Sequence, residues 1–157
     1  MKNLATLWIA CAALAVTPAL AQKDCSKADS AAAEKAVDKV VNPRGLYKAF
    51  KDYGHCDKPP VEEVFTDAIL RLMVEWKDVD TLATDAQRDG AYKDFLFNHV
   101  KSPAAKDDRE SIYSRAKSNC PMTQGAFCAE VMEIAKGGGS KKEDPLAPLP
   151  INPPAKK

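Results

Sequence analysis

Between Pro59 and Lys77 the apolar residues Val61, Val64, Phe65, Ala68, Ile69, Leu72, Met73 and Trp76 return at steps of three and four. That spacing is the 3.6-residue period of a helix that buries one broad stripe. Glu62, Glu63, Asp67, Arg71 and Glu75 fall on the other side, the face such a helix turns to water. It is the longest strongly apolar periodic segment after the first twenty-odd residues, so the remaining elements are expected to pack around it. A chain organised this way folds as a bundle.

The flanking segments have the same character. Ser30 to Val41 is alanine-rich and helix-favouring, with a thin apolar stripe. Asn42-Pro43 is a helix start, with Asn as the cap and Pro at the first helical position. The helix that follows, to Tyr53, has Leu46, Tyr47 and Phe50 on one side with Tyr53 at their margin. Gly54 is then expected to be its left-handed stop. Residues 55 to 58 should be a short loop. Asp78 to Arg88 reads as a short helix with Val79, Leu82, Ala83 and Ala86 inward. Asp89 is placed to cap the next helix, whose stripe is Tyr92, Phe95, Leu96, His99 and Val100. Phe97 falls off that stripe, so it is expected at the surface, where truncation would leave the melting temperature unchanged.

Ser102-Pro103 breaks the pattern. Asp107 and Glu110 have capping-box spacing and should open a polar helix resting on Ile112, Tyr113 and Ala116. Cys120-Pro121 ends it, and a last helix from Thr123 to Lys136 turns Phe127, Cys128, Val131, Met132 and Ala135 inward. No alternating β-branched run occurs. The expected fold is all-α, six or seven short helices around the central one near residues 60–77, forming one domain over residues 22–136. Residues 137–157 open on Gly-Gly-Gly-Ser and contain five prolines, a composition expected to form a disordered tail.

Residues 1–21 have one charge at Lys2, an apolar run and the small-x-small ending Ala19-Leu20-Ala21, the form of a secretory signal peptide. Three residues separate the cleavage point from Cys25, which argues against lipidation. No later segment is apolar enough to span a bilayer. Of the 23 basic residues one, Lys2, lies in the leader, so basic and acidic side chains then balance at 22 each. That balance leaves no electrostatic drive toward nucleic acid or an anionic membrane. Four of the five cysteines remain: Cys25, Cys56, Cys120 and Cys128. An even count in an exported chain points to two disulfides, and the local pairs Cys25–Cys56 and Cys120–Cys128 are the ones expected. Closing the longer loop stabilises the fold by roughly 3 kcal/mol in the loop-entropy account. The spacing lacks the paired CxxC knuckles of a zinc site.

Candidate chemistry is sparse. His55 beside Cys56 is the raw material of a thiol enzyme or hydrolase, but only if Cys56 is free. His99 lies on an apolar stripe, where a hydrogen-bonded core histidine is expected ahead of a base or a ligand to a metal or small molecule. The carboxylates of the central helix have the look of a solvated face, and no motif for haem, phosphate or redox dithiol chemistry occurs. No cofactor is implied.

Tyr53-Gly54-His55-Cys56-Asp57, Phe95-Leu96-Phe97-Asn98-His99-Val100 and Cys120-Pro121 followed by Phe127-Cys128 together resemble a loose group of small exported proteins of Gram-negative bacteria. The resemblance covers about Leu46 to Ala135. It implies a helical periplasmic domain with paired cysteines and brings no catalytic residue. The expected function is non-enzymatic binding of another exported protein, on the pattern of an inhibitor or immunity protein, with His55, Tyr92, Phe97 and His99 as candidate contacts. The alternatives are the Cys56/His55 enzyme and a small-ligand or metal-binding protein built on His99.

Overall fold

A computed structural model of the chain describes residues 23–137. The expected signal peptide and nearly all of the expected tail lie outside them. Within them the chain forms seven α-helices: α1 (Lys27–Val37), α2 (Pro43–Tyr53), α3 (Val61–Glu75), α4 (Val79–Arg88), α5 (Gly90–Lys101), α6 (Arg109–Ser118) and α7 (Gly125–Ala135). Three single 3-10 turns, at Gly54–Cys56, Pro103–Ala105 and Met122–Gln124, connect them. No strand occurs among the described residues.

The central helix is α3, as its period requires. Val61, Phe65, Ala68, Ile69, Leu72 and Met73 are all buried. It packs on α1, α2, α5 and α6, while α5 in turn meets α4 and α7. The α3–α5 contact is aromatic. Phe65 meets Phe95 edge to face at 5.0 Å, Phe95 meets Phe50 of α2 at 4.9 Å, and Tyr92 joins Phe50 and Tyr47. Such pairs add to the roughly 2–3 kcal/mol that burying each large ring contributes. Both expected disulfides are present, Cys25–Cys56 and Cys120–Cys128. The first ties the entry of α1 to the turn after α2, and the second ties the end of α6 to α7.

Several helix ends differ from expectation, each for a local reason. α1 begins at Lys27, earlier than Ser30, because Ser26 accepts from the Asp29 N–H and Asp29 reaches back to the Ser26 N–H, a reciprocal capping box. Gly54 is right-handed, φ −57°, and leads into the 3-10 turn. Close approach is its constraint: a Cβ there would lie 2.9 Å from the Phe50 ring. α3 ends before Trp76, which adopts φ 59° and is held there by burial and by a 3.0 Å bond from its indole N–H to the Asn119 carbonyl. The Asp107–Glu110 capping box does not form; α6 starts at Arg109, with Asp108 making no side-chain cap. Arg109 instead donates to the carbonyls of Val100, Lys101 and Ser102, satisfying the exposed end of α5.

Phe97 is the main correction to the expected surface. It is buried, 6 % exposed, with its ring 5.9 Å from Phe127, because α7 covers the side of α5 that the helical stripe alone leaves open. Phe97→Ala should therefore lower unfolding stability by about 3–5 kcal/mol in denaturant titration, the usual loss for emptying a packed aromatic site.

Asp89 joins α2 to α5. Its side chain caps the Tyr92 N–H and accepts from Tyr47 and Lys51. Burial works to raise its carboxyl, but the Tyr92 N–H, Lys51 and Tyr47 outweigh burial and hold it below the ordinary value. A carboxyl depressed on folding stabilises at pH above its unfolded value, and that stabilisation is lost as pH falls through the folded value. Asn retains the cap at Oδ1, so Asp89→Asn removes the charge together with the Oδ2 acceptor of Tyr47 and Lys51. The melting-temperature gap between wild type and Asp89→Asn should close as pH falls from about 5 toward about 2.

Candidate functional site

The Cys25–Cys56 bond fixes one corner of the molecule, where the 3-10 turn brings His55 and Asp57 out on either side of the buried Cys56. With both sulfurs bonded, the Cys56–His55 pair presents no thiolate. His55 is partly covered, and its Nε2 lies 3.9 Å from Asp29 Oδ2 without a hydrogen bond. A hydrogen bond from the Ser26 hydroxyl, opposed by burial and supported by the Ser26 N–H and Lys23, holds the Asp29 carboxyl below its ordinary range. Lys23, Asp24, His55, Asp57 and Lys58 surround a recess of about 290 Å³.

Behind Asp57 lies His99, 3 % exposed, with the Phe95 ring edge-on at 4.6 Å. Its Nδ1 is 2.7 Å from Thr66 Oγ1, and its Nε2 is 3.3 Å from Asp57 Oδ2. The second contact is within ion-pair distance yet misaligned, so Nε2 completes no hydrogen bond. Thr66 Oγ1 also lies 2.8 Å from the Glu62 carbonyl. A hydroxyl has one proton, so two arrangements satisfy these contacts. Thr66 donates to Glu62 and the ring N–H at Nδ1 donates to Thr66, or Thr66 donates to Nδ1. In both, Nε2 is the ring nitrogen turned toward Asp57. Thr66 sits inside α3, where the backbone N–H groups are committed to the helix and leave no donor pair for an oxyanion.

On its other side Thr66 lines a groove of about 520 Å³ between α3 and residues 102–108. Lys58 belongs to the recess and the next residue, Pro59, to the groove, so the two are neighbours along one edge. Five buried side-chain polar atoms lack a hydrogen-bond partner among the described residues, and four of them lie on this edge or directly behind it: His55 Nε2, Asp57 Oδ1, His99 Nε2 and Ser102 Oγ. The fifth, the Tyr92 hydroxyl, is elsewhere.

Of the four candidate contact residues, His55 lines the recess beside Asp29, His99 lies behind Asp57 of the same recess, and the others are separate from it. Tyr92 is fully buried, and burial, with lesser effects from Asp85 and Tyr47, pushes its hydroxyl far up from the ordinary value. Tyr92 and Phe97 are core residues and offer no contact surface. Asp57 and Thr66 were not legible as partners of His99, since nothing local links position 66 to position 99. The one available signal was a threonine on the charged flank of an apolar stripe. Among the described residues no three His, Cys, Asp or Glu side chains stand close enough to share a metal, and no helix is long and apolar enough to cross a membrane. Comparison of the chain with protein-family models, curated proteins and solved structures found no match in any of the three.

Thr66→Val keeps the shape and removes the hydroxyl, leaving His99 Nδ1 buried without its partner. A loss of about 1–3 kcal/mol is expected in equilibrium unfolding. A loss below about 0.5 kcal/mol would show that the Thr66–His99 contact contributes little.

Proposed function

We propose that this chain is an exported, periplasmic protein-interaction domain, acting without chemistry of its own as an inhibitor or immunity-type binder of another envelope protein. The observation that carries this reading is the clustering of partnerless buried polar atoms along one edge. Buried polar groups in folded proteins are nearly always hydrogen-bonded, to protein or to ordered water, so four such atoms gathered at one edge give a partner's polar groups a place to bond in exchange for water. The staple supports the same reading: a bridge at Cys25–Cys56 holds the recess in shape before binding, which lowers the ordering cost of association. Two disulfides fit an oxidising compartment, and balanced charge fits a protein partner better than a polyanion.

Tagged protein spanning residues 22–157, cross-linked in periplasm, should retain one stoichiometric protein. Retention should fall at least tenfold with His55→Ala/Lys58→Ala at an unchanged melting temperature. Empty capture, or equal capture by the variant, would sink the proposed face.

A further inference from the structure

The groove half of this edge has a chemistry of its own. Along α3, Glu62, Glu63 and Asp67 stand on one wall, and Asp108 stands on the other. Asp67 is paired with Arg71 at 2.9 Å; Glu62, Glu63 and Asp108 form no ion pair among the described residues. Between the walls the surface is apolar, made by Pro59, Leu70, Pro103 and Ala104, with the Thr66 and Ser102 hydroxyls set into it. Uncompensated carboxylates around an apolar strip attract a chain that pairs cations with apolar side chains, and repel an acidic one. Two glutamates in the first turn of α3 also favour the helix dipole. Asp108, at the N-cap of α6, favours that helix's dipole in the same way, but neither role calls for the two acidic ends to face each other across a cleft. The Ser102 Oγ at the groove lacks a partner, so the groove offers an unmet hydroxyl as well as carboxylates.

We infer that the groove between α3 and residues 102–108 receives a short basic segment of a protein partner, lysines or arginines flanking apolar residues. The inference rests on the interaction-domain reading and names the chemistry of its partner. From Val61 to Leu70 the α3 wall rises about 14 Å at 1.5 Å per residue, the length of about four residues of extended chain. Within that span the cations meet Glu62, Glu63 and Asp108, and the apolar side chains rest on Leu70 and Pro103.

The test uses the oxidised protein spanning residues 22–157 and two fluorescein-labelled peptides, Lys-Leu-Pro-Lys-Leu and Glu-Leu-Pro-Glu-Leu, read by fluorescence anisotropy. The basic peptide should bind saturably and the acidic one should not. Binding should weaken at least tenfold in Glu62→Gln/Glu63→Gln/Asp108→Asn, and likewise on raising salt from about 50 to about 500 mM. Circular dichroism and melting establish that the triple variant is folded, and Glu63→Gln alone, at an exposed position, serves if it is not. Equal binding of both peptides, or no effect of the folded variant, overturns the inference. A tenfold gain in affinity on Lys141→Glu/Lys142→Glu would also overturn it, by showing that the chain's own lysines compete for the groove. The triple variant used as capture bait separates this inference from the broader one. If it retains the periplasmic partner as wild type does, the groove assignment falls and the interaction reading stands. If neither bait retains a partner, the interaction reading falls as well.

Discussion

Phe65 of α3 against Phe95 of α5 is the contact on which the other packing depends. An edge-to-face pair at this distance buries two large rings at once and sets the spacing between the two most enclosed helices. Phe50 then brings α2 onto Phe95, and Phe97, two residues on and so on the opposite side of α5, brings α7 in through Phe127. The helices themselves are short, none longer than fifteen residues. Segments of that length are marginal alone in water, so their stability is tertiary. Both disulfides act at the rim of this core, where α1 and α7 have thin or one-sided stripes and gain most from a restraint.

The polar arrangement follows from the aromatic one. Once Phe65 and Phe95 are in register, the neighbouring positions Thr66 and His99 must face each other in the interior. Their bond satisfies one ring nitrogen. Asp57, positioned by the Cys25–Cys56 corner, reaches the other only at a poor angle. An aromatic core on one side and a covalent staple on the other thus leave a row of incompletely satisfied polar atoms between them. Low local dielectric makes such a row costly in isolation and responsive to a partner that completes it. This is the physical link from the packing of α3 to the edge proposed for binding.

Much of the architecture was legible because it is encoded locally. The 3.6 period placed α3, α4 and the inner face of α5, and Asn42-Pro43, Asp89 and Ser102-Pro103 marked helix ends by side-chain and ring geometry that acts within one turn. Misreadings occurred where a non-local atom prevailed. Gly54 serves the Phe50 ring and not a left-handed stop. Arg109 caps α5 where Asp107 and Glu110 were expected to cap α6. Phe97 is covered by a helix thirty residues further on. Of the candidate site, His99 was legible as a hydrogen-bonded core histidine, since an imidazole on an apolar stripe must find a partner. The identity of that partner was not.

By itself the sequence determined that this chain forms helices and where most of them begin and end, because periodicity and capping are properties of neighbouring residues. It made local pairs the expectation among three connectivities of Cys25, Cys56, Cys120 and Cys128, and the fold chose them. Only the tertiary structure decided which helix faces meet. It decided that Thr66, His99 and Asp57 converge, that Tyr92 and Phe97 are core, and that Glu62, Glu63 and Asp67 on the water-facing side of α3 also wall a groove. Helical period defines a side chain's direction about its own axis; what stands opposite depends on how two axes cross, and that is set by the fit of large buried rings.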